Sequence, residues 1–292
     1  MAKQLNWDGT EVGAKASNVT YNNATSGMEA TNVQSAIDEL KRTAGSGGSG
    51  GSYAPYNGKR MAVVGDSFTA NDVWVNAMAQ KLHLLGVKNK AISGGSWTQR
   101  AATQNNAGLP FLSAFYRLQL LYADYQAAGT SPDYILIVDG VNDYGNQLTL
   151  GNISMATIDD VNNTEESALV AEIGNKFDLT TFTGGAQAAL AYCIARWPNA
   201  IVKIGFTPAW QQGCYNGVNN NGWSSVDTYL DRLKTLATMY GAQFIDTSVV
   251  GICSWVASSK AENWRSSSDG HPSDDGYARI ADAMARLLMC NL

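Results

Sequence analysis

The chain has 292 residues, 45% of them hydrophobic and 10% aromatic, which is ample for a packed core and excludes wholesale disorder. Its net charge is −5, and its 20 Lys and Arg form no cluster of the kind that neutralises nucleic-acid phosphates or holds an anionic membrane. No apolar run reaches the ~20 residues needed to cross a bilayer, and Met1-Ala2-Lys3-Gln4-Leu5-Asn6-Trp7-Asp8 has no apolar core of a secretory signal, so cytoplasmic synthesis without membrane insertion is expected.

The four cysteines (Cys193, Cys214, Cys253 and Cys290) show no C-x-x-C spacing and there are only two histidines, a composition that argues against a zinc site. Two readings of the cysteines stay open: reduced, mostly buried thiols, or one disulfide between Cys214 and Cys253, which both follow late strands.

Taken in chain order, residues 1–30 are rich in Asn, Thr, Ser and Gly with little periodicity. Residues 31–40 read as a short helix that Thr31 can cap, with Val33, Ile37 and Leu40 at the spacing of a coiled-coil seam. About three turns are too few to stand alone in water, so the seam packs either on the rest of the chain or on other copies. Residues 44–52 are almost wholly Gly and Ser, a flexible linker by composition. It includes a formal G-x-S-x-G match at Gly47–Gly51, which lacks the strand–turn–helix context that would give it meaning. The expected organisation is an N-terminal segment (1–43), a linker (44–52) and one large domain (53–292).

After the linker, short apolar runs alternate with helical periodicity. Strands are expected at 60–65, 89–92, 133–138, 200–206 and 243–246. Helices are expected near 73–85, 109–128, 184–197, 224–240 and 274–289, the first enclosing His83. This alternation predicts a five-stranded parallel sheet covered on both faces, a three-layer α/β/α sandwich of flavodoxin-like type. Chemistry in such sheets collects at the carboxyl ends of the strands.

Three segments sit there, and a fourth stands before the last helix. Gly65-Asp66-Ser67-Phe68 follows the first strand and would present a serine hydroxyl at the sheet edge. Ile92-Ser93-Gly94-Gly95-Ser96 follows the second, where glycine lets a backbone N–H approach a ligand. Gly140-Val141-Asn142-Asp143 follows the third, where the Asn amide can donate to an oxyanion or simply cap a turn into the next helix. Asp269-Gly270-His271-Pro272-Ser273 precedes the last helix and holds the credible imidazole base.

In this order and strand context the four segments resemble the blocks of the SGNH (GDSL-type) hydrolases, over about residues 59–292. The resemblance implies a serine esterase without metal or cofactor. Ser67 would be the nucleophile and His271 its base. The N–H of Ser67, the N–H of Gly94 and the side chain of Asn142 would form the oxyanion hole, with Gly95 the alternative to Gly94. The family carboxylate normally stands three residues before the histidine, where this chain has Ser268. Asp269 lies two before it, so either Asp269 orients His271 or a backbone carbonyl or water does.

Several tryptophans fall in post-strand loops, among them Trp97, Trp210, Trp255 and Trp264. Aromatic faces can stack on sugars, although any single Trp is more often a packing residue. Trp97 is the expected wall of the substrate pocket, with Asp143 beside it, and an acetylated glycan is the expected substrate. Residues 16–40 resemble a short module of phage and prophage tail-fibre proteins, which implies trimeric assembly and a virion-associated or post-lysis extracellular location. The competing readings are an inactive glycan-binding module on the same scaffold, a flavodoxin-like nucleotide or flavin binder, and a structural fibre component.

Overall fold

A computed structural model describes residues 55–99, 112–158, 165–208, 226–250, 262–263 and 271–290, together with Asn32 and Ser35. The chain divides into two units, Met1–Tyr53 and Ala54–Leu292, and the sheet belongs to the second. In the first, Asn32 Oδ1 accepts the Ser35 N–H at 2.8 Å. The rest of the expected helix 31–40, the linker, Cys214, Cys253, Asp269, Trp210, Trp255 and Trp264 lie outside the described residues.

The second unit is built on five strands: β1 (Arg60–Gly65), β2 (Gly86–Asn89), β3 (Tyr134–Val138), β4 (Ile201–Gly205) and β5 (Gln243–Ile245). They run in the order β2-β1-β3-β4-β5, every pair parallel. Helices α1 (Val73–Lys81), α2 (Ala114–Ala127), α3 (Val141–Gly145), α4 (Glu166–Lys176), α5 (Phe182–Arg196), α6 (Val226–Tyr240) and α7 (Asp274–Cys290) connect and cover them.

The pleat sends alternate residues to opposite faces. Met61, Val63, Tyr134, Leu136 and Val138 pack with Trp74, Val75 and Met78 of α1 and Ile280, Ala281 and Met284 of α7. Ala62, Val64, Ile135, Ile137 and Ile204 face the other way, into α2, α5 and α6. Burial on both faces is why β1 and β3 read as unbroken apolar runs. The three-layer α/β/α fold expected from the alternating pattern is therefore the one observed.

Local boundaries differ in several places; α2, expected from residue 109, begins at Ala114 after its N-cap Ser113. α1 ends at Lys81, because Leu82 closes it and His83 turns left-handed at φ 53°. His83 is therefore an exposed post-helical residue rather than a helical one. β2 ends at Asn89, but the chain continues beside β1, with Lys90 N donating to Val63 O at 2.9 Å and Ile92 N to Gly65 O at 3.0 Å. This edge strand is only half-buried, so apolar character misplaced it by three residues. Finally, no bounds were expected for α3 or α4: one is a single five-residue helical turn, and the other buries only Leu169 and Ile173.

Candidate active site

β1 runs directly into Asp66-Ser67. The backbone O of Asp66 accepts from the N–H of both Thr69 and Ala70 at 2.9 Å, and its Oδ1 accepts the Phe68 N–H at 2.9 Å. These bonds close a tight turn with Ser67 at its apex, half-buried. Among the described residues the Ser67 N–H has no acceptor.

From the far end of the sequence, His271 brings Nε2 to 2.9 Å from Ser67 Oγ. The imidazole leans on the Phe68 ring, centroids 5.1 Å apart. Its loop is anchored just after Pro272. Ser273 N donates to Asn263 O at 2.8 Å and Ser273 Oγ to Glu262 O at 2.6 Å, while Ser273 Oγ caps α7 by accepting the Gly276 N–H at 3.1 Å.

The segment after β2 supplies a second N–H. Gly94 has φ 79°, a left-handed conformation that glycine adopts without steric cost. The Gly95 N–H is spent on Ile92 O at 2.9 Å, whereas among the described residues that of Gly94 has no acceptor. Of the two glycines, Gly94 is therefore the one with an N–H left for a ligand. Asn142, in the first turn of α3, donates from Nδ2 to Gly95 O at 2.8 Å, which ties its amide to the same loop. Gly140, just before α3, has φ 138°, and a Cβ there would lie 2.3 Å from the Phe206 ring. The tight approach of chain to ring leaves no room for a side chain at this position.

Asp143 and Trp97 serve otherwise than expected. The Asp143 carboxylate is fully buried, accepting the Trp97 N–H on Oδ2 and the Thr98 N–H on Oδ1, each at 3.0 Å, and the Thr98 hydroxyl at 2.5 Å. Trp97 is also fully buried, its Nε1 donating to Asp139 O at 2.9 Å and its ring edge-on to Phe182. Neither side chain is exposed. Both hold the Gly94 loop in place, because an apolar ring with one donor is satisfied more fully inside than at a wet pocket wall.

Sequence reading missed a buried polar group beneath the site. Arg117 on α2 is 2% exposed and pairs with the buried Asp139 through Nη2 at 2.5 Å. Asp66 Oδ2 meets the hydroxyl of Thr207, which accepts the Val141 N–H at 3.1 Å. Burial, reinforced by the Asp139 charge, raises Asp66 well above the usual carboxylate range. Burial likewise pushes Asp143 up to about 6, against the opposing bond from Thr98. The available signal was a basic residue within the apolar stripe Ala114, Leu118, Leu121 and Tyr125, with an acid at the exit of the most apolar strand.

The assembled geometry can take a proton from a hydroxyl and present fixed donors beside it. The sequence model of the GDSL-like Lipase/Acylhydrolase family matches residues 63–279. Among solved structures, a Lactobacillus plantarum protein aligns at TM-score 0.55 and 21% identity, covering 81% of this chain and 99% of its own. A proposed GDSL-like lipase from Bacteroides ovatus ATCC 8483 aligns at TM-score 0.50 and 17% identity, covering 79% and 97%. These likenesses are of fold. No curated protein matches the chain.

Proposed function

The chain belongs to the GDSL-like lipase and acylhydrolase family, and from that premise we propose that it is a serine esterase acting through Ser67 and His271. The observation that carries this reading is the 2.9 Å contact between His271 Nε2 and Ser67 Oγ, within the reach required of a nucleophile and its base.

Ser67 Oγ attacks the ester carbonyl carbon while His271 Nε2 takes the hydroxyl proton. The negative charge moves to the carbonyl oxygen, which the N–H groups of Ser67 and Gly94 and the amide of Asn142 receive. Such fixed donors stabilise the transition state without reorganising, and removing one typically lowers kcat ~10²–10³-fold. As the C–O bond breaks, the alcohol leaves with the proton from His271 and the acyl group stays on Ser67. Water then gives a proton to His271 and attacks the acyl carbon, and collapse returns the proton to Ser67 Oγ with release of the acid. Asp269 is the proposed carboxylate behind the imidazole.

The substrate we propose is an O-acetylated carbohydrate. Its support is sequence placement alone: Trp210 and Trp255 come after β4 and β5 in the chain, and Trp264 precedes His271, while ligands of parallel sheets gather at the carboxyl ends of the strands. An apolar cavity of about 380 Å³ lined by Met155, Phe177, Ile194 and Met239 contains none of the site residues. The tail-fibre resemblance of residues 16–40 extends the proposal to trimeric display on a phage or prophage particle, where repeated sites would raise avidity for a repeating glycan. A monomeric mass for the full chain would refute that extension. The esterase reading is tested by p-nitrophenyl acetate hydrolysis: wild type active and Ser67→Ala inactive supports it, and equal rates refute it. Acetate released from a panel of acetylated glycans tests the substrate.

A further inference from the structure

We infer that Arg117 is a positioning residue for this esterase site, holding the turn that carries Ser67 at a set distance from the loop that carries Gly94. The inference rests on the esterase reading and adds to it a residue that touches neither substrate nor Ser67.

The guanidinium spends its donors on separate pieces of chain. Nη1 donates to Gly65 O at 2.5 Å, two residues before Ser67. Nη2 donates to Ser96 O at 3.1 Å, two residues after Gly94, and to Asp139 Oδ2 at 2.5 Å at the exit of β3. Nε donates to Ser113 O at 3.2 Å, at the start of Arg117's own helix. One rigid fork thus joins the exits of β1 and β3 to the Gly94 loop. The junction is tight, since a Cβ on Gly95 would lie 2.8 Å from Gly65 O and 2.9 Å from Arg117 Nη1.

A buried ion pair is a poor device for stability alone, because apolar side chains of similar volume often serve as well. It does confer fixed geometry. Arginine's planar fork can hold two carbonyls and a carboxylate in set directions, whereas lysine has a single nitrogen on a flexible stem. Donors aimed at a developing oxyanion lose effect steeply when displaced, ~10²-fold for ~1 Å. A carbonyl-to-carbonyl brace directly beneath Ser67 and Gly94 is therefore placed where it governs rate more than binding.

The test compares wild type, Arg117→Lys and Gly95→Ala. The second variant crowds the same junction without removing any atom of the ion pair. Each protein is checked for a cooperative melt, then assayed for kcat and KM on p-nitrophenyl acetate and for the rate at which a fluorophosphonate labels Ser67. The expected result is a fall in kcat and labelling rate of ~10–100-fold in both variants, with KM within ~3-fold of wild type. Wild-type activity and labelling in either cooperatively folded variant would overturn the positioning role while the esterase reading stands. A wild type that neither hydrolyses the ester nor takes up the phosphonate would overturn both.

Discussion

Asp143 holds the N–H groups of Trp97 and Thr98 at 3.0 Å each, so the residue after Asn142 fastens the loop that carries Gly94. Two of the proposed oxyanion donors are therefore linked through one buried carboxylate. In Asp143→Asn, one acceptor oxygen becomes an NH₂ that faces a backbone donor. This change is expected to cost ~1–3 kcal/mol, the ordinary penalty for an unmatched buried polar group, and to lower kcat. Urea denaturation with parallel kinetics checks both. Unaltered stability would show that the carboxylate does not hold the loop.

Ser67→Ala is expected to lose at least ~10⁴-fold in kcat, since nucleophile and base act as one unit. Asn142→Ala should lose ~10²–10³-fold with little change in KM, because its amide serves the transition state more than the bound ester. A large rise in KM with unchanged kcat for Asn142→Ala would place that amide on the ground state instead.

Trp97 distinguishes a packing residue from a pocket wall. Trp97→Ala should destabilise the protein by ~3–5 kcal/mol through the cavity it leaves. Trp97→Phe, which loses the bond to Asp139 O, should be milder, with KM for p-nitrophenyl acetate unchanged. A tenfold KM increase in Trp97→Phe at wild-type stability would restore the pocket-wall role.

The buried carboxyls predict a pH dependence of stability. Asp143 and Asp66 are raised from 3.8 to about 6 and about 8, so each holds its proton more tightly folded than unfolded. Where the folded state binds more protons, stability falls as pH rises. The decline should therefore span pH ~4–6 for Asp143 and continue to about 8 for Asp66, at no more than ~1.4 kcal/mol per pH unit for each group. Asp66→Asn keeps an acceptor for the Phe68 N–H and offers a donor to Thr207, mimicking the protonated acid. Denaturation midpoints across pH 5–9 should flatten above pH 6 in Asp66→Asn. The same slope in both proteins would contradict the assignment.

Much of the fold was legible because its signals are local. β1 and β3 are apolar runs buried on both faces, and each of the longer amphipathic helices shows its own stripe. β2 was misplaced because a half-buried edge strand carries little apolar signal. Arg117 was passed over because its helix stripe is satisfied by Leu118, Leu121 and Tyr125, and its partner Asp139 lies 22 residues away.

By itself the sequence determined the alternation of strands and helices, the serine on the turn after β1 and the histidine before α7. These follow from periodicity and turn chemistry, which act over a few residues. Tertiary structure alone decided that His271 meets Ser67 across 204 residues. It also decided that Gly94 rather than Gly95 keeps its N–H, and that Trp97 and Asp143 face inward. Those outcomes depend on which donors find acceptors once distant segments pack, and pairing of that kind has no local pattern in the chain.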